Sequence, residues 1–203
     1  MTGPRGPAPR DVVVAGHTGD LETAQLGLEA HDPSVRAAAL GALDRLDALD
    51  QQTLATALTD VDPGVRRRAA ELAAAHATVD LLGALGDTDA SVVEVAAWAC
   101  GERETSSSAV LDRLIALAED HDDPLVREAA VAALGAIGDE RAVTAIVAAT
   151  DDKPAVRRRA VLALAPFEGS AVDAAVQRAL TDRDWQVRQA AEDLLRARRA
   201  AES

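Results

Sequence analysis

Aromatic side chains are almost absent from this chain of 203 residues, which has no tyrosine, one phenylalanine and two tryptophans. A core without aromatic residues must be built from Ala, Leu and Val. Such small side chains let helices approach one another closely, whereas packed β-sheets favour β-branched and aromatic cross-strand pairs. The scarcity of aromatics therefore predicts stacked helices and argues against a sheet protein.

Cysteine and long apolar segments are equally scarce. The single cysteine, Cys100, excludes an intramolecular disulfide and any cysteine-based metal site, and it fits a reducing cytoplasm. The apolar run at 12–15 is too short for the core of a signal peptide, and no segment approaches the length of a membrane-spanning helix. We therefore expect a cytoplasmic protein.

Positive charge comes almost entirely from arginine, because Lys153 is the only lysine, and the formal net charge is -13. An acidic chain is repelled by nucleic acids and by anionic membranes unless its cations are clustered. Arginines cluster in two runs, 66–68 and 157–159. Glu71, Glu94 and Glu128 interrupt any continuous basic surface, so nucleic-acid binding through these runs is only an alternative to be tested.

What the sequence has in abundance is one motif, Asp-Pro-x-Val-Arg-x-x-Ala, seen most clearly at 123–130. Edited copies occur six times, and Val93 replaces the arginine in the third copy. The arginine of the motif, or the valine that replaces it, is Arg36, Arg66, Val93, Arg127, Arg157 and Arg188 in the successive copies. Successive positions are 30, 27, 34, 30 and 31 residues apart, and a period near 30 indicates a repeat array.

Each copy begins with a helix signal, because Asp caps free backbone N–H groups and Pro fits the first helical position. Apolar segments between the copies predict a second helix in each repeat, at 51–58, 79–85, 109–118, 141–149 and 171–180. With helices at 11–17 and 21–29, about twelve helices result. We expect residues 1–8 to be a disordered lead and residues 9–200 to form a single domain.

Helical periodicity assigns the faces of the motif helix at about 100° per residue. The Val before the arginine, the Ala three residues after it and the residue seven after it share one stripe, which we expect to face the core. The positions one and five residues after the arginine point the opposite way and vary. We predict that this variable row binds a partner, through Arg67, Glu71, Glu94, Trp98, Glu128, Arg158 and Leu162.

Trp98 is the one large aromatic residue on the variable row. A rigid aromatic side chain in a groove is a plausible binding hot spot, but Trp98 could equally cover a gap left by the small residues of repeat three. Trp185 replaces the proline of repeat six, and we expect it to cover the terminal hydrophobic core.

The motif, followed by the sequence at 133–143 (Ala-Leu-Gly-Ala-Ile-Gly-Asp-Glu-Arg-Ala-Val), resembles the short HEAT-like repeats of bilin-lyase-related proteins over about residues 20–197. The resemblance implies an all-α fold, a right-handed, armadillo-like α-solenoid of about six two-helix repeats, with the motif helices on its concave face. It also implies a structural ladder of aspartates and arginines between repeats, interrupted at Val93. The ladder residues would be Asp32, Arg36, Asp62, Arg66, Asp123, Arg127, Arg157, Asp184 and Arg188.

The resemblance leaves several functions open, since such repeats occur in scaffolds, pigment lyases, DNA glycosylases and an iron hydroxylase. The leading hypothesis is a non-enzymatic scaffold, a monomer that binds a protein on its concave face. The alternatives are an enzyme or enzyme-assisting protein related to bilin lyases or the hydroxylase, and nucleic-acid binding through the arginine clusters. The helices lack His-Glu pairs and no serine lies in a nucleophile elbow, so we assign no catalytic residue, cofactor or metal ligand.

Overall fold

A computed structural model describes residues 6–103 and 107–201, and all regular structure in these two ranges is helical. The chain forms two compact units, Met1–Ala96 and Ala97–Ser203. Most of the predicted lead, residues 1–5, lies outside the described residues, and residues 6–8 precede the first helix. The predicted all-α repeat fold is confirmed.

The first unit contains five helices and the start of a sixth. They are α1 (Pro9–Thr18), α2 (Leu21–Gly27), α3 (Pro33–Arg45), α4 (Gln51–Ala57), α5 (Pro63–Ala73) and α6 (Ala90–Gly101), which ends in the second unit. The helices that begin at the repeated motif, here called motif helices, are α3, α5 and α6. Within this unit α3 packs on α5, and each of these two also packs on the shorter helix before it, α2 or α4.

The second unit continues the alternation. Its helices are α7 (Ser108–Asp120), α8 (Pro124–Ile137), α9 (Val143–Ala149), α10 (Pro154–Ala163), α11 (Ser170–Ala179) and α12 (Trp185–Ala201). The motif helices α8, α10 and α12 pack on one another in sequence order, and the helices that precede them, α7, α9 and α11, form a second layer. Each unit is therefore a two-layer stack of helices.

The motif aspartates cap the motif helices as the sequence predicts. Asp32 accepts a hydrogen bond from the backbone N–H of Ser34 at 2.8 Å, and Asp123 accepts one from Leu125 at 2.9 Å. The N-cap of α10 is Lys153, which supplies no side-chain cap. Asp152 instead accepts from the backbone N–H of Lys153 at 2.6 Å, so the neighbouring carboxylate takes part of the capping role.

The predicted helix at 79–85 is wrong, because only a single 3-10 turn, Ala84–Gly86, forms there. Val79, Leu81 and Leu85 are all buried, so the segment still covers the core. The Asp80 carboxylate accepts from the backbone N–H of Leu82 at 2.9 Å, a turn that competes with helical hydrogen bonding. This repeat is also the shortest, with 27 residues from Arg66 to Val93, so it has less chain available for a second full helix.

The helix α1 occupies a place that the motif search does not predict. A Cβ added at Gly16 would lie 2.8 Å from the Cα of Ala42 in α3. The same close approach recurs where α8 meets α10, with a Cβ at Gly135 lying 2.7 Å from the Cα of Ala163. Although α1 lacks the Asp-Pro start, it therefore packs on α3 as one motif helix packs on the next.

The core stripe of the motif helices is buried where periodicity places it. The Val before the arginine and the Ala three residues after it are buried in all six copies, as are Leu43, Ala73, Cys100, Leu134 and Leu164 seven residues after it. The sixth copy differs, because Leu194 is buried and Leu195 only half-buried. A Cβ added at Gly27 in α2 would lie 2.9 Å from the Cβ of Ala39, which explains why the repeated Ala is no larger in this copy.

Candidate functional site

Four of the repeat arginines form ion pairs that tie one repeat to the next, and we call each pair a rung. In each rung the Nε and Nη2 atoms of the arginine both donate to one carboxylate, at 2.6 to 2.8 Å. The rungs are Arg36–Asp60, Arg66–Asp87, Arg127–Asp152 and Arg157–Asp182. This planar two-bond geometry is the strong form of an arginine–carboxylate pair.

The aspartates in these rungs are not the ones that the sequence predicts. Asp32, Asp62, Asp123 and Asp184 cap the helices that follow them. The partners are different aspartates, which lie one or two residues ahead of the cap position. A carboxylate engaged as an N-cap points at the helix N-terminus, so the arginine of the previous repeat pairs with the residue before it. Of the five arginines predicted for the ladder, Arg36, Arg66, Arg127 and Arg157 form rungs, and their partners are not the predicted aspartates.

The repeat arginines also hold the chain that precedes their own helix. Nη1 of Arg36 donates to the carbonyl oxygens of Ala30 and His31, and Arg127 does the same to His121 and Asp122. Arg188 makes only this second kind of contact among those described, to Asp182 and Arg183. One guanidinium thus fixes both the entry to its own helix and the start of the next repeat.

The electrostatics of the rungs follow from this geometry. Hydrogen bonds from Arg157 hold the pKa of Asp182 below its ordinary value, and those from Arg36 do the same for Asp60. The carboxylates in turn raise the pKa of each arginine above its usual range. Arg157 is the most buried of these side chains, at 5% exposure. The rungs are therefore structural, permanently charged pairs with no acid–base role near neutral pH.

The third and fourth repeats depart from the pattern. Val93 stands in place of the arginine and is buried, because an apolar side chain needs no ionic partner. In the sequence, His121 stands two residues before Asp123, where the other repeats carry Asp60, Asp87 and Asp182. Nδ1 of His121 accepts a hydrogen bond from the backbone N–H of Asp123 at 3.1 Å. Each substitution therefore replaces a rung residue by one that needs no ion pair with a neighbouring repeat: Val93 is buried, and His121 accepts a hydrogen bond from the backbone of its own turn.

The variable row of the second unit exposes large apolar side chains. Trp98 on α6 is 44% exposed and Leu162 on α10 is 41% exposed, and both lie five residues after the repeat position. Ala132 occupies the same position on α8, and α8 packs on α10. We call Trp98, Ala132 and Leu162 the apolar stripe. Glu128 and Arg158, one residue after their repeat arginines, are half-buried.

The variable row of the first unit is charged instead. Arg67 and Glu71 on α5 are exposed, and Glu94 on α6 is half-buried. Gly41 of α3 is buried because the side chain of Arg68 lies across it. The predicted row therefore divides into three residues of the first unit (Arg67, Glu71, Glu94) and four of the second (Trp98, Glu128, Arg158, Leu162).

Trp185 does not cover a hydrophobic core, which corrects the prediction made for it. It is the first residue of α12 and is 64% exposed. The reason is its position at the helix start, where a side chain points away from the buried stripe. Leu125, near the start of α8, is likewise 56% exposed. These two residues lie at the beginning of motif helices, about one helical turn before the variable row on the same side of the helix.

Among the residues described, no group of three or more His, Cys, Asp or Glu side chains could hold a metal ion. A search of the same residues finds no helix that is both long and apolar enough to span a membrane. The groups gathered on the motif helices are guanidiniums, carboxylates and apolar side chains.

Comparison with known proteins supports the repeat assignment. The model of HEAT repeats matches residues 78–165. No curated protein sequence matches this chain. The matched range of the HEAT-repeat model covers the third, fourth and fifth copies of the motif, including the third copy, in which Val93 replaces the arginine.

Solved structures show the same fold across nearly the whole chain. An engineered protein from a structural genomics consortium is 24% identical, with a TM-score of 0.65 over 87% of this chain and 97% of its own. The Escherichia coli protein YibA is 18% identical, with a TM-score of 0.62 over 94% of this chain and 75% of its own. A designed armadillo repeat protein in complex with the peptide (KR)4 is 17% identical, with a TM-score of 0.50 over 95% and 87%. These likenesses identify an α-solenoid of HEAT-like repeats.

Proposed function

We propose that this HEAT-like repeat protein is a non-enzymatic interaction scaffold, monomeric and cytoplasmic, which binds a segment of another protein on the variable row of its motif helices. By its resemblance to HEAT-like repeats, we expect this row to lie on the concave face. The segment contacts the apolar stripe, and the charged residues Glu128 and Arg158 beside the stripe set its orientation.

The observation that carries the proposal is the exposure of Trp98 and Leu162 on the same row. In α8 and α10 the core positions are filled by buried Val, Ala and Leu, and in α6 by buried Val92, Ala96 and Cys100, so Trp98 and Leu162 lie outside the buried stripe. An exposed tryptophan at the same register as an exposed leucine supports a binding surface on the variable row, because tryptophan is enriched in binding hot spots.

The chemistry of the surroundings favours a protein segment as the ligand. Motif helices pack about 8 to 10 Å apart, so Trp98 and Leu162, two helices apart, are separated by about 20 Å. That distance corresponds to about six residues of an extended segment or about thirteen of a helix. The designed armadillo repeat protein of similar fold, in complex with a peptide, also supports a peptide-like ligand.

The proposal is tested by affinity capture from the native organism, with quantitative mass spectrometry of the captured proteins. The test variant is Trp98→Ala with Leu162→Ala. The chain offers a matched control, Trp185→Ala with Leu125→Ala, which removes the same two residue types in the same unit. The control residues are more exposed than the test residues, at 64% and 56%.

We expect the test variant to lose its partner by at least about thirtyfold, as truncation of a hot-spot tryptophan typically does, while the control retains it. Circular dichroism and thermal unfolding must show that both variants remain folded. Retention of the same partners by the test variant, or loss confined to the control, contradicts the assignment of the binding surface.

A further inference from the structure

We propose that the first unit carries a separate site for a carboxylate-rich protein segment, formed by Arg45, Arg67 and Arg68, here called the arginine patch. The inference goes beyond the scaffold proposal, because it concerns the other unit, shares only Arg67 with the variable row and specifies the chemistry of the ligand. It stands on the packing of two guanidiniums against α3 and on the charges that surround them.

The packing of the patch depends on Gly41. A Cβ added at Gly41 would lie 2.6 Å from Nη2 of Arg68, so the absence of a side chain lets this guanidinium cross from α5 onto α3. From the other side, Nη1 of Arg45 donates to the Gly41 carbonyl oxygen at 2.8 Å. Two guanidiniums are thus held at one helical turn, and their positions are set before a ligand arrives.

The charges nearby leave the patch positive. Glu71 pairs with Arg68, with Oε2 at 2.9 Å from Nη1. Asp44, beside Arg45 in the chain, lies 3.7 Å from Nε2 of His76. Within residues 6–103 and 107–201, neither Arg45 nor Arg67 has an ion-pair partner, and both are exposed. The patch therefore presents two uncompensated guanidiniums in a chain whose net charge is -13.

Carboxylates are the ligands that this arrangement fits. A guanidinium presents a planar fork of donors, which matches the two oxygens of an Asp or Glu side chain. A nucleic acid would need a basic track that continues along its backbone. Instead, Glu94 on α6 occupies the position that Arg67 occupies on α5, so the positive surface stops after α5. An acidic segment of a protein is the ligand that a short patch can satisfy.

The test is fluorescence anisotropy with a labelled peptide of alternating Glu and Gly, at low and at physiological salt. Arg45→Gln with Arg67→Gln removes the two exposed charges. The control is Arg178→Gln with Arg183→Gln, which removes two exposed arginines outside the patch. We expect the patch variant to bind about tenfold more weakly than wild type, the effect of two solvent-exposed ion pairs, and the control to bind within about twofold of wild type.

Gly41→Ala provides a second variant that removes no charge. It should also weaken peptide binding, because the added methyl group displaces Arg68 from α3. A labelled single-stranded oligonucleotide tests the competing ligand. Absence of peptide binding by wild type, equal losses in patch and control variants, or tighter binding of the oligonucleotide than of the peptide would overturn the proposal. Trp98→Ala with Leu162→Ala should leave peptide binding unchanged, so failure of the patch is distinguishable from failure of the scaffold proposal.

Discussion

Two pairs of neighbouring motif helices, α3 with α5 and α8 with α10, have equivalent core residues. Their surfaces differ in chemistry. Each second helix begins with a triple-arginine run whose first member forms the rung to the next repeat, Arg66 or Arg157. The third member packs on the previous helix in both pairs. Arg68 lies across Gly41, whereas Arg159 approaches Glu128, with Nη2 at 3.7 Å from Oε1.

The difference comes from four substitutions on the variable side of these helices. Ala37, Gly41 and Arg45 of α3 correspond to Glu128, Ala132 and Ala136 of α8, and Glu71 of α5 corresponds to Leu162 of α10. Glu128 satisfies the cross-helix arginine in the second pair, and Ala136 and Leu162 make the surface apolar. The first pair lacks this carboxylate and gains Arg45, which leaves a cationic surface. The same helical frame therefore carries two surfaces of different chemistry.

The largest expected effect lies in the part that the two pairs share. Arg36→Ala and Arg127→Ala each remove the arginine of a rung and leave a partly buried carboxylate without its partner. We expect each to destabilise the protein by about 3 kcal/mol, or about 10 °C in melting temperature for a chain of this size. Thermal unfolding followed by circular dichroism measures both. If only one of the two is destabilising, the frames of the two pairs are not equivalent.

Replacing the two glycines of these pairs by alanine should change the free energy of unfolding by different amounts. Gly135→Ala forces a methyl group against the Ala163 backbone, 2.7 Å away, and should destabilise by about 1 to 2 kcal/mol. In Gly41→Ala the added methyl group contacts only the guanidinium end of Arg68, which can shift aside. The free energy of unfolding should therefore stay within about 0.5 kcal/mol of wild type, also because Ala has a higher helix propensity than Gly. Equal losses in urea unfolding would show that Gly41 also lies in a rigid helix contact.

Acid should weaken both pairs through their rungs. Because the pKa values of Asp60 and Asp152 are lowered in the folded protein, mainly by hydrogen bonds from Arg36 and Arg127, their contribution is present above the unfolded pKa near 3.8 and is lost as pH falls below it. We expect the free energy of unfolding to fall by about 1 kcal/mol for each rung that is lost in acid. Asp60→Asn and Asp152→Asn should each be less stable at pH 6 and show a shallower decline toward pH 3 than wild type. An unchanged slope would contradict the role of the rungs.

The smallest effect on stability is expected for a triple variant that gives the α8–α10 surface affinity for the acidic peptide. Glu128→Ala, Ala136→Arg and Leu162→Glu together convert the α8–α10 surface toward that of α3–α5. All three positions lie on the variable side, so stability should change by no more than about 0.5 kcal/mol. The acidic peptide should bind this variant more tightly than wild type in the anisotropy assay. No gain in affinity would show that Gly41 or another feature of α3 is also required.

The repeating residues made the fold predictable from sequence. The period near 30, the Asp-Pro helix starts and the buried Val and Ala stripe each follow from local rules. Three of the six copies have the Asp-Pro start, and all six bury the Val and the Ala. The sequence could not predict the 3-10 turn at 84–86, because its apolar residues fit a helix equally well and only tertiary packing decides. It also missed α1 as a motif helix, although Gly16 marks the close contact.

The rungs and the site were less predictable, for different reasons. Two aspartates lie near the start of every motif helix except α3, and which of them caps the helix depends on side-chain geometry that spacing alone does not determine. Helical periodicity found the variable row, including Trp98 and Leu162. It gave no sign that Arg68 crosses onto α3, since that contact depends on Gly41 in another repeat.

Site-specific photo-crosslinking tests the central claim, that a partner binds the variable row, most directly. A photoreactive phenylalanine derivative is placed singly at positions 98 and 162 on the row and at positions 125 and 185 at the helix starts, and the protein is irradiated in cells of the native organism. We expect the same partner protein to be crosslinked from 98 and 162 and not from 125 and 185. Crosslinks formed only from 125 and 185 would place the binding surface at the helix starts and contradict the account.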